Sequence, residues 1–487
     1  MNLKRFFHQY AVEIFLFLAT LFIRFPFFFR DYIDKDESTF ILMGQSIADG
    51  HLPYDQLWDL KPPLLFYFFA LIEKVIPHSF IAIRFCGVLI VFVSAVLLMR
   101  IAAQARLKNG FLMALGYVVL GSEFGSLQGV MSEHLAVFFM LLGLAIFLKD
   151  RKRGIDFVLS GLCFGCAVLC KLNYAYALAG LVFIYLINGY YANNFKQNAI
   201  NLLGLATGVL LPVILMAFPF IFSGKTGLFI NSVFLAPLKY ARALNFSLVD
   251  KLKTSWWVLA LMSFVIYLAV KRSKEENKWL VFICSAILVG TVYTFFSSGI
   301  VNGHYLIQIY PFVLLLIFGV IIQKQIQVKL GIASIVIILA SVESILEYTR
   351  IIKAIQNPPE YRATFEVINE LKKRKLDTGK IFFADYHIGY WLLHKYPLTK
   401  STTHPSNLAR PYLFPYYNDS VKTSMDELKH LFDNVRPDVI VSETNGLKFF
   451  PSGTAEDNYF KNIIIKDFQM IYKDSSDRIY IWERVLR

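Results

Sequence analysis

Residues 79–102 read SFIAIRFCGVLIVFVSAVLLMRIA, an apolar block whose only charges are Arg84 and Arg100. As an α-helix it rises about 36 Å, enough to cross a hydrocarbon core roughly 30 Å thick. In lipid every backbone N–H and C=O must be satisfied within the segment, so a block of this kind spans as a helix. Ten similar blocks flank it, at 11–29, 111–122, 131–148, 155–170, 172–188, 198–222, 255–270, 279–297, 305–323 and 329–346. The composition agrees: of 487 residues 56% are hydrophobic and 17% charged, against about 25% charged in an average soluble protein. A simple soluble enzyme is excluded, and the sequence predicts a polytopic α-helical membrane protein of about eleven transmembrane helices.

Forty-nine Lys and Arg against thirty-five Asp and Glu give a net charge of +14. Much of the excess falls in short loops between spans: Lys4 and Arg5; Arg106 and Lys108; Lys149, Arg151, Lys152 and Arg153; Lys271, Arg272, Lys274 and Lys278; Lys324 and Lys329. If the spans alternate, all of these lie on one side, which the positive-inside rule makes cytoplasmic. The positive charge therefore records topology and calls for no nucleic-acid partner. No small-residue cleavage site follows the first apolar run, so that run reads as a retained span with the N-terminus inside. A multi-pass protein of the cell (inner or plasma) membrane with an outer C-terminus is expected. Cys86, Cys163, Cys166, Cys170 and Cys284 all fall in apolar blocks and give no exported disulfide framework. Three of them, Cys163, Cys166 and Cys170, share a helix face, but with no His or carboxylate beside them they read as small packing residues.

The loops on the other side differ in character. The first, 30–78, is net acidic, whereas 224–254 carries Lys225, Lys239, Arg242, Lys251 and Lys253 against Asp250. That basic loop is either an amphipathic surface segment or a place where a phosphate is met. After Tyr348 charge becomes dense and no further block is long enough to span. Helical spacing at 360–375, a buried strand KIFFAD at 380–385, a capping box of Ser424 with Glu427, and strands at 438–442 and 479–482 predict a small soluble α/β domain. The expected organisation is a membrane catalytic domain, 1–348, including the first outer loop 30–78, and an extracytoplasmic α/β domain, 349–487.

Two familiar signatures fail. Ser223-Gly224-Lys225-Thr226 looks like the end of a phosphate-binding loop, but Pro219 stands where its first glycine belongs. Asp34-Lys35-Asp36 looks like the metal clamp of transferases that use nucleotide sugars, yet such donors do not reach an outer loop.

The informative stretch is Asp36-Glu37, then Gly50, Pro53-Tyr54, Trp58 and Lys61-Pro62-Pro63-Leu64. An acidic pair, a short helix, Gly-x-x-Pro-Tyr, then Trp and Lys-Pro-Pro closely resemble the first outer loop of the GT-C glycosyltransferases that include protein O-mannosyltransferases and the bacterial aminoarabinose transferase of lipid A. Ser132-Glu133, at the outer start of a span, matches the family's second acidic position. An ionised Glu there costs roughly 2.5 to 3.5 kcal/mol in lipid unless it meets a partner or cavity. Lys171 sits where the family has a lysine between its fifth and sixth spans, although Leu172 and Asn173 replace the glycine or proline that often follows. His304-Tyr305 with Pro311 is similar to the family's outer-face motif. The resemblance covers roughly residues 10–345.

It implies a transferase that takes a sugar from a polyprenyl-phosphate donor to a hydroxyl on a lipid, glycan or protein acceptor, with inversion. The resemblance assigns Asp36 as the base, Glu37 as its positioning partner and Glu133 as a group orienting acceptor or base. Lys61 is the first choice for the donor phosphate, followed by Lys171, Lys239, Arg242 and His304. No cofactor is required; a divalent metal is compatible with the reading but not indicated. A flippase, transporter or lipid-binding scaffold would also bury Glu and Lys; a transporter, however, needs two accesses to a midplane site, and the polar candidates here lie near one face. A transferase acting on a diphosphate-linked oligosaccharide is a second enzymatic alternative.

Overall fold

A computed structural model describes residues 10–150, 153–192, 194–244, 246–356, 362–418, 420–444, 447–475 and 477–485. The chain divides into two units. One is Met1–Phe28, Ile83–Phe218 and Leu244–Thr349; the other is Phe29–Ala82, Pro219–Ala243 and Arg350–Arg487. The loop 30–78 thus groups with the tail, and the unit that holds it is larger than the expected domain at 349–487.

In the first unit each expected apolar block is helical. Among the described residues six helices are long and apolar enough to cross a bilayer: Ala11–Phe29, Phe80–Gln104, Tyr174–Tyr191, Phe195–Phe222, Leu248–Arg272 and Glu275–Ser298. Leu330–Ala340 and Val342–Lys353, bent by 70° at their junction, make a seventh when taken as one span. Gly110–Leu120, Ser132–Phe147, Gly154–Cys170 and Tyr310–Ile321 are apolar but shorter. The last begins later than the pattern at 305–323 suggests, because residues Gly303–Gln308 form a 3-10 turn and Pro311 stands in the first turn of the helix, where its missing N–H costs nothing. Large apolar side chains such as Leu203, Ile214 and Phe264 are exposed, as lipid-facing positions of a multi-pass membrane protein require. All five cysteines are free.

Several buried charged groups in this unit have specific partners. Arg24, 1% exposed, donates to the carbonyls of Leu127 and Gly129, each at 2.7 Å. The bend after Ala340 opens a new helix N-terminus, whose N–H groups lack intrahelical acceptors. Glu123 supplies them: its carboxylate accepts the N–H of Glu343 at 2.6 Å and the Ser344 hydroxyl at 2.7 Å. Helix Gly154–Cys170 meets Phe195–Phe222 through glycine. A Cβ on Gly161 would lie 2.1 Å from the Leu205 carbonyl oxygen, and one on Gly208 2.1 Å from that of Val158, so the backbones approach as closely as small residues permit.

In the second unit, helices Lys35–Ala48 and Pro63–Val75 come from the loop 30–78, and the tail forms a four-stranded sheet of order β1-β2-β4-β3. Strands β1 (Ile381–Phe383) and β2 (Val439–Ser442) are parallel; β4 (Tyr480–Arg484) is antiparallel to β2 and to β3 (Phe468–Lys473). Phe382, Ile440, Leu428, Phe432, Phe460 and Ile464 build its core. The parallel β1 and β2 are fully buried, as their unbroken apolar runs foretell. Strand β3 escapes sequence reading because it is an edge strand with Gln469 and Met470 exposed. The expected capping box moves by one residue: Thr423, not Ser424, is the N-cap, and its partner is Asp426 rather than Glu427. Glu427 instead accepts a hydrogen bond from Thr399 Oγ1. Of the predicted helix at 360–375, Ala363–Lys373 is helical, and its first two positions lie outside the described residues.

The close helix crossing yields a test. Gly161→Ala forces a methyl against backbone and should destabilise the protein by about 1–3 kcal/mol, read as a lower melting temperature in detergent. Gly154→Ala, whose Cβ meets nothing within 4 Å, should leave the melting temperature unchanged.

Candidate active site

The motif of the loop 30–78 folds into one polar site in the second unit. Asp34 is the N-cap of helix Lys35–Ala48, its carboxylate accepting the Asp36 N–H at 2.8 Å. Asp36 and Glu37 therefore stand in the first helical turn, where negative charge is favoured; Glu37 is buried and Asp36 partly so. Gly50 ends the segment after the helix at φ +101°, a conformation open chiefly to glycine. Tyr54, itself at φ 67°, donates its hydroxyl to the Lys61 carbonyl at 2.8 Å. Trp58 stacks on Tyr417 at 4.1 Å and donates its indole N–H to Ser232 Oγ at 3.0 Å. These contacts fix the backbone that carries Lys61, and Pro63 starts the next helix. Lys61 Nζ then lies 3.0 Å from Asp36 Oδ2. The two residues that the motif marked as base and phosphate cation form an ion pair.

Sequence reading missed a second partner. His404 Nε2 lies 3.3 Å from Asp36 Oδ1, while its Nδ1 accepts the Ser406 N–H at 3.3 Å and meets Ser406 Oγ at 2.7 Å. A further tail residue, His387, is buried with Nε2 3.0 Å from Thr39 Oγ1 and 3.2 Å from the Lys35 carbonyl oxygen. Burial, reinforced by His404 and Lys35, holds its pKa well below the ordinary histidine value, so His387 is neutral at pH 7. It tethers the helix turn that bears Asp36. Nothing near either histidine in sequence signals this, since the turn and the tail meet only through folding.

The first unit holds a second polar cluster. Glu133, fully buried in the first turn of Ser132–Phe147, pairs with Lys171 and lies 3.9 Å from His304 Nε2. Ser132 Oγ donates to its other oxygen at 3.0 Å, and Lys171 Nζ stands 4.4 Å from the centre of the Tyr305 ring. His134 braces the turn, accepting the Met131 N–H on Nδ1 at 3.1 Å and meeting the Gly121 carbonyl through Nε2 at 2.8 Å. Three of the predicted residues, far apart in the chain, are thus neighbours. Lys239 and Arg242 are exposed on the helix Ala236–Ala243. Lys225 of the rejected phosphate-loop look-alike pairs with Asp55 at 2.7 Å. Among the described residues no three His, Cys, Asp or Glu side chains gather as a metal site would require.

Comparison with solved structures identifies the fold. ArnT from Cupriavidus metallidurans in the apo state is 11% identical with a TM-score of 0.54, over 98% of each chain. The same protein bound to undecaprenyl phosphate gives 12% and 0.51 over 97% of each. The oligosaccharyltransferase of Archaeoglobus fulgidus tethered to an acceptor peptide gives 11% and 0.50, over 99% of this chain and 75% of that one. The chain is a multi-pass membrane protein of GT-C fold. Residues 60–218 match the family model described as dolichyl-phosphate-mannose-protein mannosyltransferase, so the chain resembles the GT-C glycosyltransferases of the mannosyltransferase and ArnT type. No curated protein sequence matches it.

The buried Glu133–Lys171 pair predicts a non-additive mutant pattern. Breaking such a pair by neutralising one partner costs about 3–5 kcal/mol, whereas replacing both is close to neutral. Glu133→Gln should therefore lower the melting temperature in detergent more than Glu133→Gln combined with Lys171→Met. With Lys171→Met alone completing the cycle, a double variant whose loss equals the sum of the two single losses would show that the side chains are not coupled.

Proposed function

We propose that the protein is a glycosyltransferase that moves a sugar from a polyprenyl-phosphate donor to an acceptor hydroxyl on the outer side of the membrane, inverting the anomeric centre. The observation that carries this reading is the Asp36–Lys61 ion pair within the motif of the first outer loop, because the reaction needs a base and a phosphate-binding cation side by side. Outside the cytoplasm no nucleotide sugar is at hand, and a lipid-linked sugar brings its own leaving group. The acceptor oxygen attacks the anomeric carbon as the bond from that carbon to the phosphate oxygen breaks. The bonding electrons leave with the polyprenyl phosphate, and the acceptor proton passes to Asp36.

Asp36 serves as general base, Glu37 supports it from its buried position, and Lys61 neutralises charge developing on the departing phosphate. Lys171 and His304 are weaker candidates for the donor phosphate, and Glu133, paired with Lys171, is a candidate for orienting acceptor or base. Lys239 and Arg242, exposed on their helix, offer weaker phosphate contacts. The chemistry requires no cofactor, since the anomeric phosphate is already activated. The acceptor is a lipid, glycan or protein hydroxyl. Comparing envelope lipids and glycans by mass spectrometry with and without the gene should reveal one lost sugar modification; identical profiles would overturn the reading.

Asp36→Asn keeps size and polarity but removes the basic carboxylate. Single-turnover transfer should fall about 10²- to 10⁴-fold, with folding and donor binding retained. Lys61→Ala should weaken donor binding and slow transfer together, because its charge meets the phosphate before and during reaction.

The orientation has its own test. In a cysteine-free background, a cysteine at the exposed Ser420 should react with an impermeant reagent in intact cells, and one at Ser273, in the Lys271–Lys278 cluster, should be protected. The reverse pattern would remove the case for a lipid-linked donor.

A further inference from the structure

We propose that His404, from the tail, is a positioning residue for Asp36: its Nε2–H holds one carboxylate oxygen while Lys61 holds the other. This rests on the reading of Asp36 as the base. The geometry within the second unit is specific. Lys61 Nζ contacts Oδ2 at 3.0 Å and His404 Nε2 contacts Oδ1 at 3.3 Å. Lys61 reaches Oδ2 from the end of a long, flexible side chain, which by itself sets the carboxylate plane poorly. A second donor on the other oxygen fixes that plane, and with it the direction of the lone pairs that take the acceptor proton.

The proton on the imidazole is placed by the backbone. His404 is the N-cap of the 3-10 turn Pro405–Ala409, and its Nδ1 accepts the Ser406 N–H. A nitrogen that accepts a backbone N–H carries no proton of its own, so the ring proton sits on Nε2, facing Asp36. The mount is rigid. His404 is 8% exposed and follows the fully buried Ser401, Thr402 and Thr403, and Thr403 Oγ1 accepts the Trp58 N–H at 3.3 Å. A cap alone would need only a short acceptor such as Asn, Asp, Ser or Thr. An imidazole whose far nitrogen reaches a carboxylate of the catalytic motif does more than cap, and it makes the tail a contributor to the chemistry.

The two functions of His404 can be separated by substitution. Asn reproduces the Nδ1 acceptor but is too short to reach Asp36; Gln places an N–H near the Nε2 position but caps poorly. Full-length protein in detergent would be assayed with a panel of radiolabelled undecaprenyl-phosphate-linked hexoses and pentoses, using envelope extract as acceptor. His404→Asn should keep its melting temperature and donor binding yet lose about 10- to 100-fold in turnover, the worth of one hydrogen bond to a charged group. His404→Gln should melt lower and retain most of its turnover. Equal losses in both, or normal turnover in a folded His404→Asn protein, would overturn the proposal. Adding His404→Asn to Asp36→Asn should cause no further loss, because the bond it removes no longer serves a base; a further loss of the same size would also overturn it. An active Asp36→Asn protein would sink the underlying reading instead, while an inactive one beside a fully active His404→Asn protein sinks only this inference. If His404→Asn does not fold, Ser406→Ala takes its place. It removes the hydroxyl from Nδ1 while keeping the backbone N–H, and should lower turnover by a smaller factor; wild-type turnover there would overturn the proposal.

Discussion

A polar group carried into hydrocarbon must bring its partner with it. Backbone groups meet this demand by forming helices, and every apolar block in the first unit is helical. Side chains meet it pairwise. Arg24 is bound by the carbonyls of Leu127 and Gly129, and Glu123 receives the N–H groups that the 70° bend would leave bare. Glu133 is matched by Lys171. The short helices Ser132–Phe147 and Gly154–Cys170 follow from the same demand, since each places a charged residue at or next to its end, where a partner can reach it.

The second unit obeys a different logic. Its helices and sheet are held by a conventional apolar core, and its motif from Asp36 to Leu64 is a chain of turn and cap chemistry. Asp34 caps the helix, Gly50 turns the chain, Tyr54 ties down the Lys61 carbonyl, and Trp58 is clamped between Tyr417 and Ser232. Together they fix the distance between a carboxylate and an ammonium, and Asp36–Lys61 is the product. The buried, neutral His387 holds the same helix turn from the tail side.

Much of this was legible in the sequence, and for physical reasons. Spanning helices announce themselves because lipid tolerates no other backbone arrangement, so 79–102 and its fellows could be located as helices, many of them to within two or three residues, though among the described residues only six, or seven with the bent pair, are long and apolar enough to cross a bilayer. The motif from Asp36 to Leu64 could be read because its spacing is local: cap, helix, glycine turn and proline start all act within a few residues. Strands β1 and β2 showed as unbroken apolar runs because both faces are covered. Where the tail misled, the signal was weak for a reason: β3 is an edge strand with polar exposed positions, and the cap of Ser424–Lys429 fell one residue earlier because Thr423 and Ser424 are equally good candidates by type.

Only the tertiary structure decided which residues share a site. Sequence named Glu133, Lys171 and His304 separately; folding made them a cluster, because helix packing through Gly161 and Gly208 fixes the helix whose end carries Lys171. Sequence named Asp36 and Lys61 and could not see His404, since the tail's contact with the loop leaves no periodicity or spacing in either segment. Local rules determine elements and caps; long-range packing determines which side chain finds which partner, and here that partner is an imidazole from the tail, 3.3 Å from Asp36.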